Sequence, residues 1–119
     1  IPCHKVAEND KWLAFLDINP LSKGHTLIIP KTEVDYSFDL DSETYGHLLE
    51  FAKEVSHGIR KSVECKRIGM TVIGLEVPHA HIHLIPINSI TDMDFSKPKL
   101  NLPPEEMTYL AKSIADNLS

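Results

Sequence analysis

The spacing of apolar residues changes three times along the chain, from a period of two to a helical period, back to two, and again to a helical period. Alternation of apolar and polar residues over short stretches is typical of half-buried strands. Turn residues interrupt these stretches at Asn9-Asp10 and Asn19-Pro20, and a break falls near Val77-Pro78. The pattern predicts strands around residues 4–8, 12–16, 25–30, 67–75 and 79–87.

Two other segments place apolar residues three or four positions apart, as on the buried face of an amphipathic helix. The first follows Asp41, a residue that can cap a helix, and Glu43 lies favourably in its first turn. The second follows Pro103-Pro104, with two acids at its start. We therefore predict an α+β fold in which two helices pack on an antiparallel sheet of about five strands.

Composition and charge restrict the classes of protein that this chain can belong to. Its 119 residues, 42% hydrophobic, suit a single domain (1–119) with an apolar core. The net charge of −5 argues against binding to nucleic acid, and no apolar run is long enough for a membrane span. Cys3 and Cys65 lack a CxxC spacing, so a reducing cytoplasm is the simplest expectation. Because the sequence starts at Ile1, we expect an N-terminal segment to be missing.

The candidate chemistry is concentrated in residues 79–86, which read HAHIHLIP. In a strand, His79, His81 and His83 face one side and the apolar residues between them face the other. A single histidine on a strand would most often have no special role. Three in register, in a chain with seven histidines, indicate a site.

Metal binding is one interpretation of this pattern, because histidine is a common metal ligand. Alternate strand residues lie roughly 6.6 Å apart, whereas zinc–nitrogen bonds are about 2 Å long, so one ion cannot readily bind all three histidines. The other interpretation is nucleophilic catalysis at phosphorus, which needs a neutral imidazole whose second nitrogen donates to an acceptor. His81, flanked on both sides, is the natural nucleophile.

The segment HAHIHLIP resembles the His-x-His-x-His-x-x motif of the histidine triad (HIT) family of nucleotide-binding proteins. The upstream segment Phe15–Pro20 is similar to that family's aromatic-x-Asp-x-x-Pro turn, and Gly24–Lys31 is similar to its His-x-Leu-x-x-Pro-Lys strand. Both motifs occur in the expected order with the helix between them. The resemblance therefore covers essentially the whole chain.

The resemblance implies an antiparallel sheet with two helices, a homodimer, and cleavage of nucleoside-5′-phosphoryl compounds at the α-phosphate. By this similarity His81 is the nucleophile that forms a transient nucleotidyl-histidine, which water then hydrolyses. His79 and His83 would lie beside the phosphate and in a supporting hydrogen-bond chain, with His25 behind His83. Nucleotide is the implied small-molecule partner, and neither a cofactor nor a metal is expected.

The same resemblance suggests how the nucleoside is held. Asp17 would accept hydrogen bonds from the ribose hydroxyls, and Phe15, Ile18 and Leu27 would surround the base and sugar. Each also has a simpler interpretation, because an acid in a turn can bond local backbone and apolar strand residues are usually core.

Two positions depart from the phosphoramidate-cleaving branch of the family, which carries Gln-Ser or Gln-Thr where this chain has Leu75 and Glu76. Leucine cannot donate a hydrogen bond, and an ionised Glu76 near the phosphate would repel it unless it points away or carries a proton. The leading expectation is a hydrolase or transferase acting on adenosine phosphoramidates or dinucleoside polyphosphates. The alternatives are a catalytically weak nucleotide-binding or adaptor protein and a metal-binding protein.

Overall fold

The computed structural model describes residues 4–32, 36–72 and 81–118. Five strands form one sheet in the order β1-β2-β3-β5-β4, and every neighbouring pair is antiparallel. Two helices accompany this sheet, so the predicted α+β class is confirmed. The strands are β1 (Lys5–Glu8), β2 (Trp12–Leu16), β3 (Thr26–Pro30), β4 (Arg67–Val72) and β5 (Ile82–Ile87), and the helices are α1 (Ser42–Ser62) and α2 (Pro104–Asp116).

The helix boundaries follow local capping chemistry. Asp41 precedes α1, and its Oδ1 accepts a hydrogen bond from the backbone N–H of Thr44 at 2.8 Å. Pro104 is the first residue of α2, where its missing N–H costs nothing because first-turn amides have no partner within the helix. In the segment between β5 and α2, residues Ile90–Met93 form a 3₁₀ turn. Within the described residues, no helix is long and apolar enough to cross a membrane.

The two C-terminal strands are shorter than predicted in the part of the chain that the structure describes. β4 is described up to Val72, and β5 begins at Ile82, one residue after His81, whereas the sequence predicts strands over 67–75 and 79–87. Residues 73–80 lie outside the described residues, so the predicted break at Val77-Pro78 and the placement of Leu75, Glu76 and His79 are not covered.

Both helices cover one face of the sheet and form the core with it. Alternate residues of β2 point into this core, as the sequence pattern predicts, and Ile28 of β3 is fully buried there. The buried cluster comprises Val6, Trp12, Ala14, Leu16, Ile28, Ile82 and Leu84 from the sheet, Leu48, Phe51, Ala52, Val55 and Ile59 from α1, and Met107, Leu110, Ala111 and Ile114 from α2.

The opposite face of the sheet, the site face, carries the candidate functional residues. Residues that pair across antiparallel strands face the same side, so the register places Phe15, Leu27, His83 and Thr71 in one row across four strands. The chain that follows β5 returns over this face. The helices therefore bury one side of β2 and β3, and the row that contains His83 lies on the other side.

Candidate active site

Two histidines meet at the centre of the sheet. His25 directly precedes β3 and His83 lies in the adjacent β5, and His25 Nε2 is 3.0 Å from His83 Nδ1. The backbone enters β3 through Gly24, whose φ of +97° favours glycine. A Cβ on Gly24 would also lie 3.0 Å from Val63 Cγ2. His25 is 1% exposed and His83 is 8% exposed, so both rings are removed from bulk water.

The hydrogen bonds of His25 determine which nitrogen of each neutral ring carries its proton. The backbone N–H of Leu21 donates to His25 Nδ1 at 3.0 Å, so Nδ1 is an acceptor and the proton lies on Nε2. Nε2–H then donates to His83 Nδ1, which leaves the proton of His83 on its own Nε2. The result is a directed chain, from Leu21 through His25 to His83, that ends in an N–H donor.

Burial keeps both rings in this neutral form. It lowers the pKa of His25 to about 4, with a smaller contribution from the positive charge of Lys99. Burial also lowers the pKa of His83 to about 4, helped by His25 and His81 and opposed by the negative charge of Asp17. Near pH 7 both rings are therefore neutral, and each hydrogen bond of the chain runs in the same direction, from Leu21 towards His83.

Asp17 lies in the turn that follows β2, and its two carboxylate oxygens have different surroundings. Oδ1 accepts a hydrogen bond from the backbone N–H of Asn19 at 2.8 Å, the local role that a turn acid can have. Oδ2 lies 3.6 Å from His25 Nε2, beyond hydrogen-bond distance from a nitrogen that already donates to His83. Burial raises the pKa of Asp17, and the Asn19 N–H opposes this. One oxygen is thus used by the turn and the other faces the histidine pair.

His81 is the residue immediately before β5, and it is half-buried. Its ring centroid lies 4.8 Å from that of His83, with the planes inclined at 65°. His83 is therefore in contact with His25 on one side and His81 on the other. His79 lies outside the described residues, as do Leu75 and Glu76, so the phosphate side of the predicted site is described only from His81 onward.

A metal ion is the rival occupant, because Asp17, His25 and His83 bring one ligand atom each to within 4.8 Å of one another. Zinc would need the lone pair of His25 Nε2, and that tautomer would carry its proton on Nδ1. This proton would face the N–H of Leu21 across 3.0 Å. Because two donors cannot satisfy each other, the residues present fit a hydrogen-bond chain better than a metal site.

The apolar residues predicted around the nucleoside fall into two groups. Phe15 and Leu27 are half-buried and lie in the same cross-sheet row as His83. Ile18 projects from the turn next to Asp17 and is 67% exposed. Both groups border the site face, and none of the three belongs to the core cluster between sheet and helices.

Sequence reasoning missed two residues of the loop that follows β5. The ring centroid of Phe95 lies 5.0 Å from that of His83 and 6.2 Å from that of His25. Lys99 acts electrostatically on both Asp17 and His25. Phe95 is the sole aromatic residue in a polar stretch, a weak signal because solitary apolar residues are common on protein surfaces.

Comparison with known proteins identifies the family. The model of the HIT domain matches residues 1–90. An uncharacterised HIT-like protein of Borreliella burgdorferi is 34% identical, with 99% of this chain and 91% of that protein covered. An adenosine 5′-monophosphoramidase of Schizosaccharomyces pombe is 33% identical, with 99% of this chain and 90% of that enzyme covered.

Solved structures agree with the sequence comparison. A hypothetical histidine triad nucleotide-binding protein of Sulfolobus tokodaii superposes with a TM-score of 0.81 at 29% sequence identity, covering 99% of this chain and 85% of that one. The five-stranded antiparallel sheet with two helices matches the fold of these solved structures. The protein belongs to the HIT family.

Proposed function

We propose that this protein is a hydrolase or transferase that cleaves nucleoside-5′-phosphoryl compounds at the α-phosphate through a nucleotidyl-histidine on His81. The observation that carries the proposal is the hydrogen-bond chain from Leu21 through His25 to His83, which ends beside His81. A buried donor of fixed direction next to a second imidazole is an arrangement suited to charge that develops on a phosphoryl group.

The reaction has two displacement steps. In the first, a ring nitrogen of neutral His81 attacks phosphorus, the bond from phosphorus to the leaving group breaks, and the leaving group takes up a proton. In the second, water attacks the same phosphorus, the phosphorus–nitrogen bond breaks, and the nucleoside monophosphate leaves while water gives up a proton. The Nε2–H of His83 stabilises charge on the phosphoryl oxygens in both steps.

The nucleoside would lie on the part of the site face formed by β2 and β3. Asp17 Oδ2 faces the histidine pair while Oδ1 is used by the turn, so Oδ2 is the oxygen available to ribose hydroxyls. Phe15 and Leu27 lie beside His83 in the cross-sheet row and supply apolar surface for the sugar and base.

The leaving group is a phosphoramidate amine or the rest of a dinucleoside polyphosphate. A 33% identical relative that is named as an adenosine 5′-monophosphoramidase supports the first class. Leu75 and Glu76 stand where the phosphoramidate-cleaving branch carries polar donors, which favours a second candidate function, nucleotide binding with weak turnover.

The test is to incubate the protein with adenosine phosphoramidate and, separately, with a dinucleoside polyphosphate, then quench and measure intact mass and product. We expect a nucleotidyl adduct on His81 that is absent from His81→Asn. His57→Asn is the matched control, because His57 is an exposed histidine on α1. Tight binding of nucleoside monophosphate with neither adduct nor turnover would favour the binding protein and overturn the enzyme.

We further propose that two copies of the chain form a homodimer along β4, the last strand of the described sheet order. A groove of about 370 Å³ runs between α1 and the β4–β5 surface beside this edge, and Met70 and Leu49 are 51% and 40% exposed there. An edge strand offers backbone donors and acceptors to another strand, so a second copy of this chain can extend the sheet and cover these apolar side chains.

A further inference from the structure

The loop of residues 94–100 is held in one shape by its own polar groups. Asp94 Oδ1 accepts hydrogen bonds from the backbone N–H and the hydroxyl of Ser96, and the Lys99 ammonium donates to the carbonyls of Phe95 and Lys97. The N–H of Leu100 donates to the carbonyl of Pro20 at 2.8 Å. This last bond attaches the loop to the turn that also carries Asp17 and Leu21.

Phe95 is the residue that this loop presents to the histidines. Its ring makes an edge contact with His83, at a centroid distance of 5.0 Å and an interplanar angle of 75°, and a longer one with His25, at 6.2 Å and 77°. Aromatic pairs prefer such tilted geometry, so the contact fixes the plane of each imidazole as well as covering it. Phe95 therefore lies against both ends of the Nε2···Nδ1 hydrogen bond.

We propose that Phe95 is a positioning residue for the reaction proposed above: its ring holds His83 against His25 and excludes water, so that the Nε2–H of His83 points to the phosphoryl group. The inference deepens that function and rests on it. Phe95 acts through His83 rather than on the substrate.

Protonation of His83 would destroy this arrangement. A doubly protonated His83 would present Nδ1–H to the Nε2–H of His25, so two donors would face each other and the chain would break. Among the described residues, the charged or titratable groups that act on His83 are His25, His81 and Asp17. Lys99 in turn acts on Asp17 and His25. Burial is the largest cause of the lowered pKa of His83, and Phe95 contributes part of that burial.

Phe95→Ala should admit water and allow the His83 ring to tilt. We expect the pKa of His83 to rise by about one unit, which moves the acid limb of the kcat profile to higher pH and lowers kcat on that limb about tenfold. The KM should change little, because Phe95 acts through His83 rather than on the substrate. Phe95→Leu keeps the apolar cover, so its acid limb should stay close to that of the wild type.

The experiment measures the tautomer and pKa of His83 by ¹⁵N–¹H NMR and kcat against pH, in the wild type, Phe95→Ala and Phe95→Leu. Phe38→Ala is the matched control, because Phe38 is 65% exposed and packs against Tyr36 and Tyr45. A raised His83 pKa in Phe95→Ala alone supports the inference, and an unchanged pKa and tautomer in a folded Phe95→Ala overturns it. If Phe95→Ala does not fold, Phe95→Val, which shortens the apolar cover, takes its place: a raised His83 pKa supports the inference, and an unchanged pKa and tautomer overturns it.

The NMR readout also separates the two proposals. Wild-type protein that turns over neither substrate class would refute the proposed function, whereas the His83 titration in the variants would still decide whether Phe95 positions the ring.

Discussion

The two sides of strand β5 differ in burial: polar side chains are buried on one side, and an apolar side chain is exposed on the other. On its β3 side, His25 and His83 are buried, and both ring nitrogens of His25 have hydrogen-bond partners. On its other side lies β4, the last strand of the described sheet, with Met70 half-exposed. Among the described residues, the chain itself therefore encloses the His25–His83 pair, whereas β4 has a neighbouring strand on one side only.

The largest expected difference between the two regions is in their response to acid. The pKa values of His25 and His83, both about 4, lie below the ordinary histidine value of 6.5, so the unfolded chain binds protons more readily than the folded one. The contribution of this pKa difference to the free energy of unfolding is fully present above pH 6.5 and is lost as pH falls from 6.5 towards 4. A shift of this size corresponds to at most about 3 kcal/mol for each histidine.

Urea denaturation at pH 7 and at pH 4.5 measures this loss. Asp17, whose pKa is raised, works in the opposite direction, because its folded form holds a proton more readily than its unfolded form. His25→Leu removes one titrating group and should flatten the dependence, whereas the exposed His57→Leu should not. Equal slopes for the wild type and His25→Leu would contradict the picture of a buried neutral pair.

The second expected effect is on stability at pH 7. His25→Ala removes a fully buried side chain and leaves the Leu21 N–H and His83 Nδ1 without the partner they share. We expect the free energy of unfolding to fall by about 2–4 kcal/mol. His57→Ala on the exposed surface of α1 should change it by less than about 0.5 kcal/mol. Similar values for the two variants would show that the site is not the more tightly constrained region.

A third test compares closed and open surroundings within one helix. A Cβ on Gly58 of α1 would lie 2.8 Å from the carbonyl oxygen of Ile114 in α2, whereas one on Gly46 has nothing within 4 Å. Gly58→Ala should therefore cost about 1–3 kcal/mol through overpacking. Gly46→Ala should gain up to about 1 kcal/mol, because alanine favours the helix. Thermal unfolding measures both, and a stabilised Gly58→Ala would mean that α1 and α2 are less closely packed than described.

The same contrast explains how much the sequence could predict. Strand and helix positions followed from periodicity, because each element buries one face against a common core; β2 matched its predicted span and α1 began after Asp41. The histidines were found by their alternation. The fold class and the family were thus accessible from local patterns alone.

The contacts made across the site face could not be predicted in this way. That Leu21 donates to His25, and that Phe95 covers His83, depends on where a turn and a loop return in three dimensions. Neither residue belongs to a periodic pattern. A few side-chain hydrogen bonds hold the 94–100 loop in shape, whereas helices and strands are held by repeating backbone hydrogen bonds. Sequence periodicity predicts which residues are buried against the core, but it does not predict the contacts made on a face that the core does not cover.

The smallest effect on the folded chain is expected at the β4 edge, where only association should change. Met70 is 51% exposed and lies outside the core cluster, so Met70→Lys should change the stability of the single chain by less than about 0.5 kcal/mol. If a second copy packs there, the dimer should dissociate at least about tenfold more readily, as burial of an unpaired charge at an interface is costly. Sedimentation across a concentration series measures this, with Tyr109→Lys, exposed on α2, as control. A dimer unaffected by Met70→Lys but weakened by Tyr109→Lys would move the interface from the sheet edge to the helices, and the β4 edge would then be an open strand end rather than the place where two chains join.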